Sequence, residues 1–138
     1  MNAYRWSELY TGLAHSFEVE LTAFMMRQFL ELSGDNNPLH LDPAFAASAG
    51  FPDVVVYGML TSTLYSRLVG VYLPGRYCLL QGISLDLSKP AYIGDQLTVK
   101  GEIAHLNEAY RRIEIKAVIE KGSEVISKAK IRVGLLEH

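Results

Sequence analysis

The stretch YGMLTSTLYSRLVGVYL, Tyr57 to Leu73, constrains the fold of this chain more than any other. Met59, Leu60, Thr63, Leu64, Leu68, Val71 and Tyr72 recur with a helical period. The other sides carry Thr61, Ser62, Tyr65 and Val69, and Arg67 is the only charge. A helix with so little charge on any side has to be covered over most of its surface. The following LPG ends it, and the rest of the chain alternates instead. Ile83, Leu85 and Leu87 lie on one side of a strand, as do Leu97, Val99 and Ile103, then Ile113, Ile115 and Ile119, then Val125, Ala129, Ile131 and Val133. IGDQ at 93–96 and KGSE at 121–124 are turns between them. The cover for the helix is therefore a mostly antiparallel sheet, and the fold class is α+β.

Shorter elements precede the helix. HSFEVEL places Phe17, Val19 and Leu21 on one side of a strand. Leu21, Phe24, Met25, Gln28, Phe29 and Leu32 then follow an amphipathic helical spacing, with Thr22 to cap the start and Gly34 to end it. DPAFAASAG, Asp42 to Gly50, has a cap residue, a proline at the first helical position and a closing glycine. No repeat or composition break divides the chain, so residues 1–135 read as one domain and 136–138 as a tag remnant. With 138 residues, 49% of them hydrophobic, a core forms without staples. A net charge of -2 and scattered Lys and Arg leave no basic footprint for nucleic acid. Cys78, the lone cysteine, sits among apolar residues and reads as a buried, inert thiol. Paired zinc-ligand cysteines are absent, so no metal site is expected. The start of the chain lacks a basic region followed by an apolar one, and no apolar run reaches membrane-spanning length, so a cytoplasmic protein without membrane contact is expected.

The stretch LSGDNNPLHLD, Leu32 to Asp42, holds the candidate chemistry. Taken by composition it is loop material: Asp35 can make an Asx turn and His40 can be a satisfied, half-buried histidine. The same residues also admit acid–base work. An imidazole titrates near neutrality, at about 6.5 when unperturbed, so it both takes and gives a proton. A nearby carboxylate accepts a hydrogen bond from water, and the two together can hold and deprotonate one water molecule. Pro38 and the flanking asparagines stiffen the mount. Spacing alone leaves both readings open.

FLELSGDNNPLHLDPAFA resembles the signature of the MaoC-like, or hydratase 2, family of (R)-specific enoyl-CoA hydratases. Phe29, Leu32, Ser33, Gly34, Asp35, Asn37, Pro38, Leu39, His40 and Ala46 fill its slots. YGMLTSTLYSRLVGVYLPG looks like that family's central helix, and LSKPAYIGDQLTVKGEI like its strand, proline, Gly-Asp turn and strand. The likeness covers most of residues 17 to 135. It implies a single hotdog fold, a curved antiparallel sheet around a long central helix with an overhang segment, paired as a homodimer. It also implies that Asp35 and His40 activate a water that adds to C3 of a trans-2-enoyl thioester, giving the (R)-3-hydroxyacyl product reversibly. Gly58 then supplies a backbone N–H to the thioester carbonyl, at a helix start where free donors and the dipole favour an oxyanion. Asn37 orients the loop or the water, and Ser62 or Thr63 provides a small hydroxyl near the site. No cofactor is implied beyond coenzyme A or acyl carrier protein as the substrate's carrier. Tyr57 departs from the family, which commonly has histidine there. A phenol titrates at about 10, so Tyr57 is expected to support the site rather than to move protons.

Competing functions leave different traces. With acyl carrier protein as the carrier, the same site runs as a 3-hydroxyacyl dehydratase. A hotdog thioesterase draws a carboxylate from the central helix, and Tyr57 to Leu73 contains none. A non-catalytic acyl-binding subunit loses the Asp or the His, and both are here. Among other residues, His15 and His105 read as surface groups, Arg67 as a partner for a carboxylate, Lys89 as solvated, and Tyr65, Tyr72 and Trp6 as packing.

Overall fold

A computed structural model describes residues 1–136; Glu137 and His138, two of the three residues read as a tag remnant, lie outside the described residues. The strands are β1 (Ala14–Glu20), β2 (Cys78–Leu87), β3 (Gln96–Asn107), β4 (Arg112–Lys121) and β5 (Glu124–Leu135). They make one sheet in the order β1-β3-β4-β5-β2, antiparallel at every junction. The register pairs Phe17 with Val99, Val99 with Ile119, and Ile115 with Ile131, so the alternating apolar residues stack across neighbouring strands. That face is closed by α3 (Gly58–Arg67), whose Leu60, Leu64 and Tyr65 join the same buried cluster. A sheet with a central helix on its apolar face is the hotdog arrangement that the resemblance implied.

The buried run Tyr57–Leu73 is not one continuous α-helix. After Arg67 it widens into a π-type turn, Leu68–Tyr72, where the Leu73 N–H reaches back to the Leu68 carbonyl at 2.9 Å. Gly70, a weak helix former, lies inside that turn. α1 (Ala23–Ser33) is capped as read, with the Met25 N–H on the Thr22 hydroxyl and Gly34 left-handed at φ 71°. Its buried strip is rotated from the expected one. Met26 is buried and Met25, Phe29 and Leu30 half-buried, while Phe24 and Leu32 stand 58% and 82% exposed. α2 (Pro43–Ser48) is shorter than its capping signals suggested, and Asp42 holds its first turn through the Ala44 N–H.

β2 also departs from expectation. It is an edge strand, and its alternation buries little: Leu79, Leu80, Ile83 and Leu87 are 41–49% exposed. Among the described residues, no helix is long and apolar enough to cross a membrane.

Candidate active site

The loop from Ser33 to Asp42 is built from side chains that hold their own backbone. The Asp35 N–H rests on the Ser33 hydroxyl, the Asn37 N–H on Asp35 Oδ1 at 3.1 Å, and the Leu39 N–H on Asn37 Oδ1 at 3.0 Å. Each is a local turn closed by a short polar side chain. Asn37 thereby caps the single 3-10 turn, Pro38–His40, that carries the histidine. The loop stays exposed from Ser33 to Pro38. One carboxylate oxygen of Asp35 is spent on the turn, and Oδ2 has no partner among the described residues.

His40 is fixed from two sides. Its Nδ1 lies 2.6 Å from the Val55 carbonyl. A carbonyl only accepts, so Nδ1 carries a hydrogen, and in the neutral ring Nε2 is left as the bare, basic nitrogen. The buried segment Val54–Val56 that offers this carbonyl is itself stitched down: the Val55 N–H donates to Leu39 and the Val56 N–H to Ala91. The second side is Tyr57, whose ring stacks on the imidazole at 4.1 Å between centroids and 30° between planes. The Tyr57 hydroxyl donates to the Asp35 backbone carbonyl at 2.7 Å. Burial first, and then the Asp35 carboxylate, raise its phenol above the ordinary value, so it stays a donor.

The Tyr57 carbonyl takes the Leu60 and Thr61 N–H groups of α3, and Gly58 begins that helix. No acceptor among the described residues takes the Gly58 N–H. A Cβ there would come within 2.6 Å of Leu87 Cδ1, so any side chain at this position would push that leucine aside. His40, Val55, Gly58, Thr61, Leu87 and Ser127 are among the walls of a cleft of about 170 Å³. Lys89 lies on the same cleft and pairs with Glu124 at 3.4 Å.

Ser62 and Thr63 do not share this cleft. Their hydroxyls donate back to the Gly58 and Leu60 carbonyls, and both line a separate apolar hollow with Met59, Leu80 and Ile83. The hydroxyl that faces His40's cleft is Thr61, three residues after Gly58 and so on the same side of the helix. Ser127, from β5, reaches the cleft as well and bonds the buried Tyr65 hydroxyl at 2.8 Å. The Val55 carbonyl and Ser127 carried no sequence signal, because only tertiary packing brings them to His40's cleft. His15 is not a free surface group, since Nε2 meets the Tyr4 hydroxyl at 2.8 Å. Arg67 stacks on the Phe17 ring at 4.5 Å instead of meeting a carboxylate. His105 is exposed, as read.

A family profile described as "MaoC like domain" matches residues 9–127. The chain is 46% identical over 80 residues to an (R)-specific enoyl-CoA hydratase of Aeromonas caviae, a stretch covering 58% of this chain and 60% of that protein. It is 32% identical to a 3-hydroxybutyryl-CoA dehydratase of Methylorubrum extorquens over 88% of this chain and 77% of the relative. Among solved structures, the (R)-hydratase from A. caviae superposes with a TM-score of 0.87 at 34% identity, covering 92% of this chain and 97% of that one.

Proposed function

This chain belongs to the MaoC-like domain family, and from that premise we propose that it hydrates trans-2-enoyl-CoA thioesters to (R)-3-hydroxyacyl-CoA, reversibly. One arrangement supports the proposal above the others: Asp35 and His40 both bear on Tyr57, the residue that starts the helix whose first N–H, on Gly58, is open.

A water held between Asp35 Oδ2 and His40 Nε2 donates a hydrogen to each. As its oxygen bonds to C3, His40 takes the proton and the C2–C3 π electrons move toward the thioester carbonyl. The Gly58 N–H and the end of the α3 dipole meet the negative oxygen that results. The enolate collapses, C2 takes the proton from the imidazolium, and both groups return to their starting state. The addition involves no net oxidation or reduction, so it calls for no redox cofactor. Run backwards, the same groups expel water, the direction named for the M. extorquens relative. An acyl carrier protein arm presents the same thioester, so 3-hydroxyacyl-carrier-protein dehydration is the second reading.

We further propose that the working form is a cytoplasmic homodimer of one-domain chains spanning 1–135, joined along β2. That strand is an unpaired edge with four exposed large apolar residues, and an edge of this kind invites a second strand.

Crotonyl-CoA tests the activity directly. Loss of the conjugated enoyl absorbance without release of free thiol is the expected result. Thiol release without hydration would make the protein a thioesterase and end the proposal. Comparing crotonyl-CoA with its carrier-protein thioester decides the carrier.

A further inference from the structure

Resting on the acid–base reading above, we propose that Tyr57 is the positioning residue that sets Asp35, His40 and Gly58 in one register. It is 1% exposed and touches each part of the site through a different portion of itself. Its hydroxyl holds the Asp35 carbonyl at 2.7 Å. One ring contact seats the His40 imidazole at 4.1 Å, and another meets Phe29 of α1 at 4.7 Å. Its own carbonyl accepts the Leu60 and Thr61 N–H groups at 3.0 and 3.2 Å, which fixes where α3 and the Gly58 N–H begin. The loop, the 3-10 turn, α1 and α3 thus meet on a single side chain and its peptide unit.

The Asp35 loop has little else to hold it. From Ser33 to Pro38 its side chains are exposed, and its other hydrogen bonds join residues no more than four apart. Such bonds shape a turn without anchoring it to the body of the protein. The Tyr57 hydroxyl is the bond that spans 22 positions and ties Asp35 to the buried wall. Likewise, the Val55 carbonyl fixes one ring nitrogen of His40 but leaves rotation about that contact, and the Tyr57 ring face removes it. Tyr57 touches no reacting atom in this scheme. It acts through the two residues that do.

Tyr57→Phe and Tyr57→Leu separate its two arms. Phenylalanine keeps the ring and drops the tether, so kcat for crotonyl-CoA is expected to fall by about tenfold, the scale of one lost hydrogen bond. KM should stay within a factor of about two, since reacting groups rather than substrate contacts have moved. Leucine loses both arms, and kcat should fall by roughly a hundredfold, the scale of a misplaced catalytic group. Ring-nitrogen NMR reads the same seat without any turnover. The His40 signal, identified by its absence in His40→Ala, should report one Nδ1-protonated form in the parent and Tyr57→Phe, and averaged forms in Tyr57→Leu. Should the parent hydrate nothing, the function falls while the ring-nitrogen result still decides the seat. Should Tyr57→Leu fail to fold, Tyr57→Phe alone decides, through its split between kcat and KM. Parent-like kcat in the variants, a loss confined to KM, or an unchanged His40 signal in folded Tyr57→Leu would overturn the positioning role.

Discussion

His40 offers Nε2 to the cleft because the Val55 carbonyl has claimed Nδ1–H, and Asp35 offers Oδ2 because the Asn37 N–H has claimed Oδ1. Each group is half-engaged by structure and half-open for chemistry. Removing either open half should disable water activation while leaving the loop's hydrogen bonds largely in place. Asp35→Asn keeps an Oδ1 acceptor for Asn37, and His40→Ala removes the ring. Each is expected to lower kcat by about 10²–10⁴-fold in steady-state assays on crotonyl-CoA, the usual scale for a general acid–base group. Cys78 gives a second residue-level test. Burial pushes its thiol up to about 11, and the neutral form is the one the fold favours. Above the unfolded thiol's ordinary value, near 8.5, unfolded chain ionises first, so this residue's contribution to stability declines as pH climbs toward 11. At pH 8, a thiol-specific disulfide reagent should label native protein far more slowly than protein unfolded in guanidinium. The sequence pointed to Asp35, Asn37 and His40 through one long signature, and to Gly58 through the likeness of the central helix. The join made by Tyr57 was not, since its partners lie 17 to 28 positions upstream and only folding brings them together.

At the scale of elements, the site depends on how α3 meets the sheet. Tyr65 of α3 and Ser127 of β5 are each 1% exposed and satisfy one another at 2.8 Å beside the cleft. Ser127→Ala leaves the tyrosine hydroxyl buried without a partner, at a cost of about 1–3 kcal/mol. Tyr65→Phe in that background removes the stranded hydroxyl and should recover part of the loss, which urea melts of the parent, both single variants and the double variant will show. Hydrophobic period was enough to read β3, β4 and β5, because their apolar residues face one shared core; in α3 it also gathered Met59, which stands 59% exposed. It misread α1, whose buried strip is centred on Met26 and Phe29 with Phe24 and Leu32 left outside. An element that overhangs the body presents a narrower face than one packed within it, and periodicity does not report which turn of the stripe finds a neighbour. The small hydroxyl was assigned to Ser62 or Thr63 for a related reason. A one-residue step on a helix turns the side chain by about 100°, and that step separates Thr61 in the cleft from Ser62 in the apolar hollow.

For the whole molecule, β2 is the strand left undressed. Leu79, Leu80, Ile83 and Leu87 lie along an edge whose outer backbone groups have no neighbouring strand in the sheet. Pairing two such edges would cover both the apolar residues and the backbone. Ile83→Lys places a charge in that seam without touching the cleft lining, and sedimentation should move the protein from dimer to monomer; a parent that sediments as a monomer would remove the dimer proposal. The strand's alternation was legible as a strand but not as an edge, because order in a sheet is a property of the completed fold. The central claim is that Asp35 and His40, both held by Tyr57, add water to one face of an enoyl thioester. Chiral analysis of the product formed from crotonyl-CoA tests it most directly. The parent should yield (R)-3-hydroxybutyryl-CoA and the Asp35→Asn/His40→Ala double variant almost none, whereas an (S) product, or equal yield from the double variant, would contradict it.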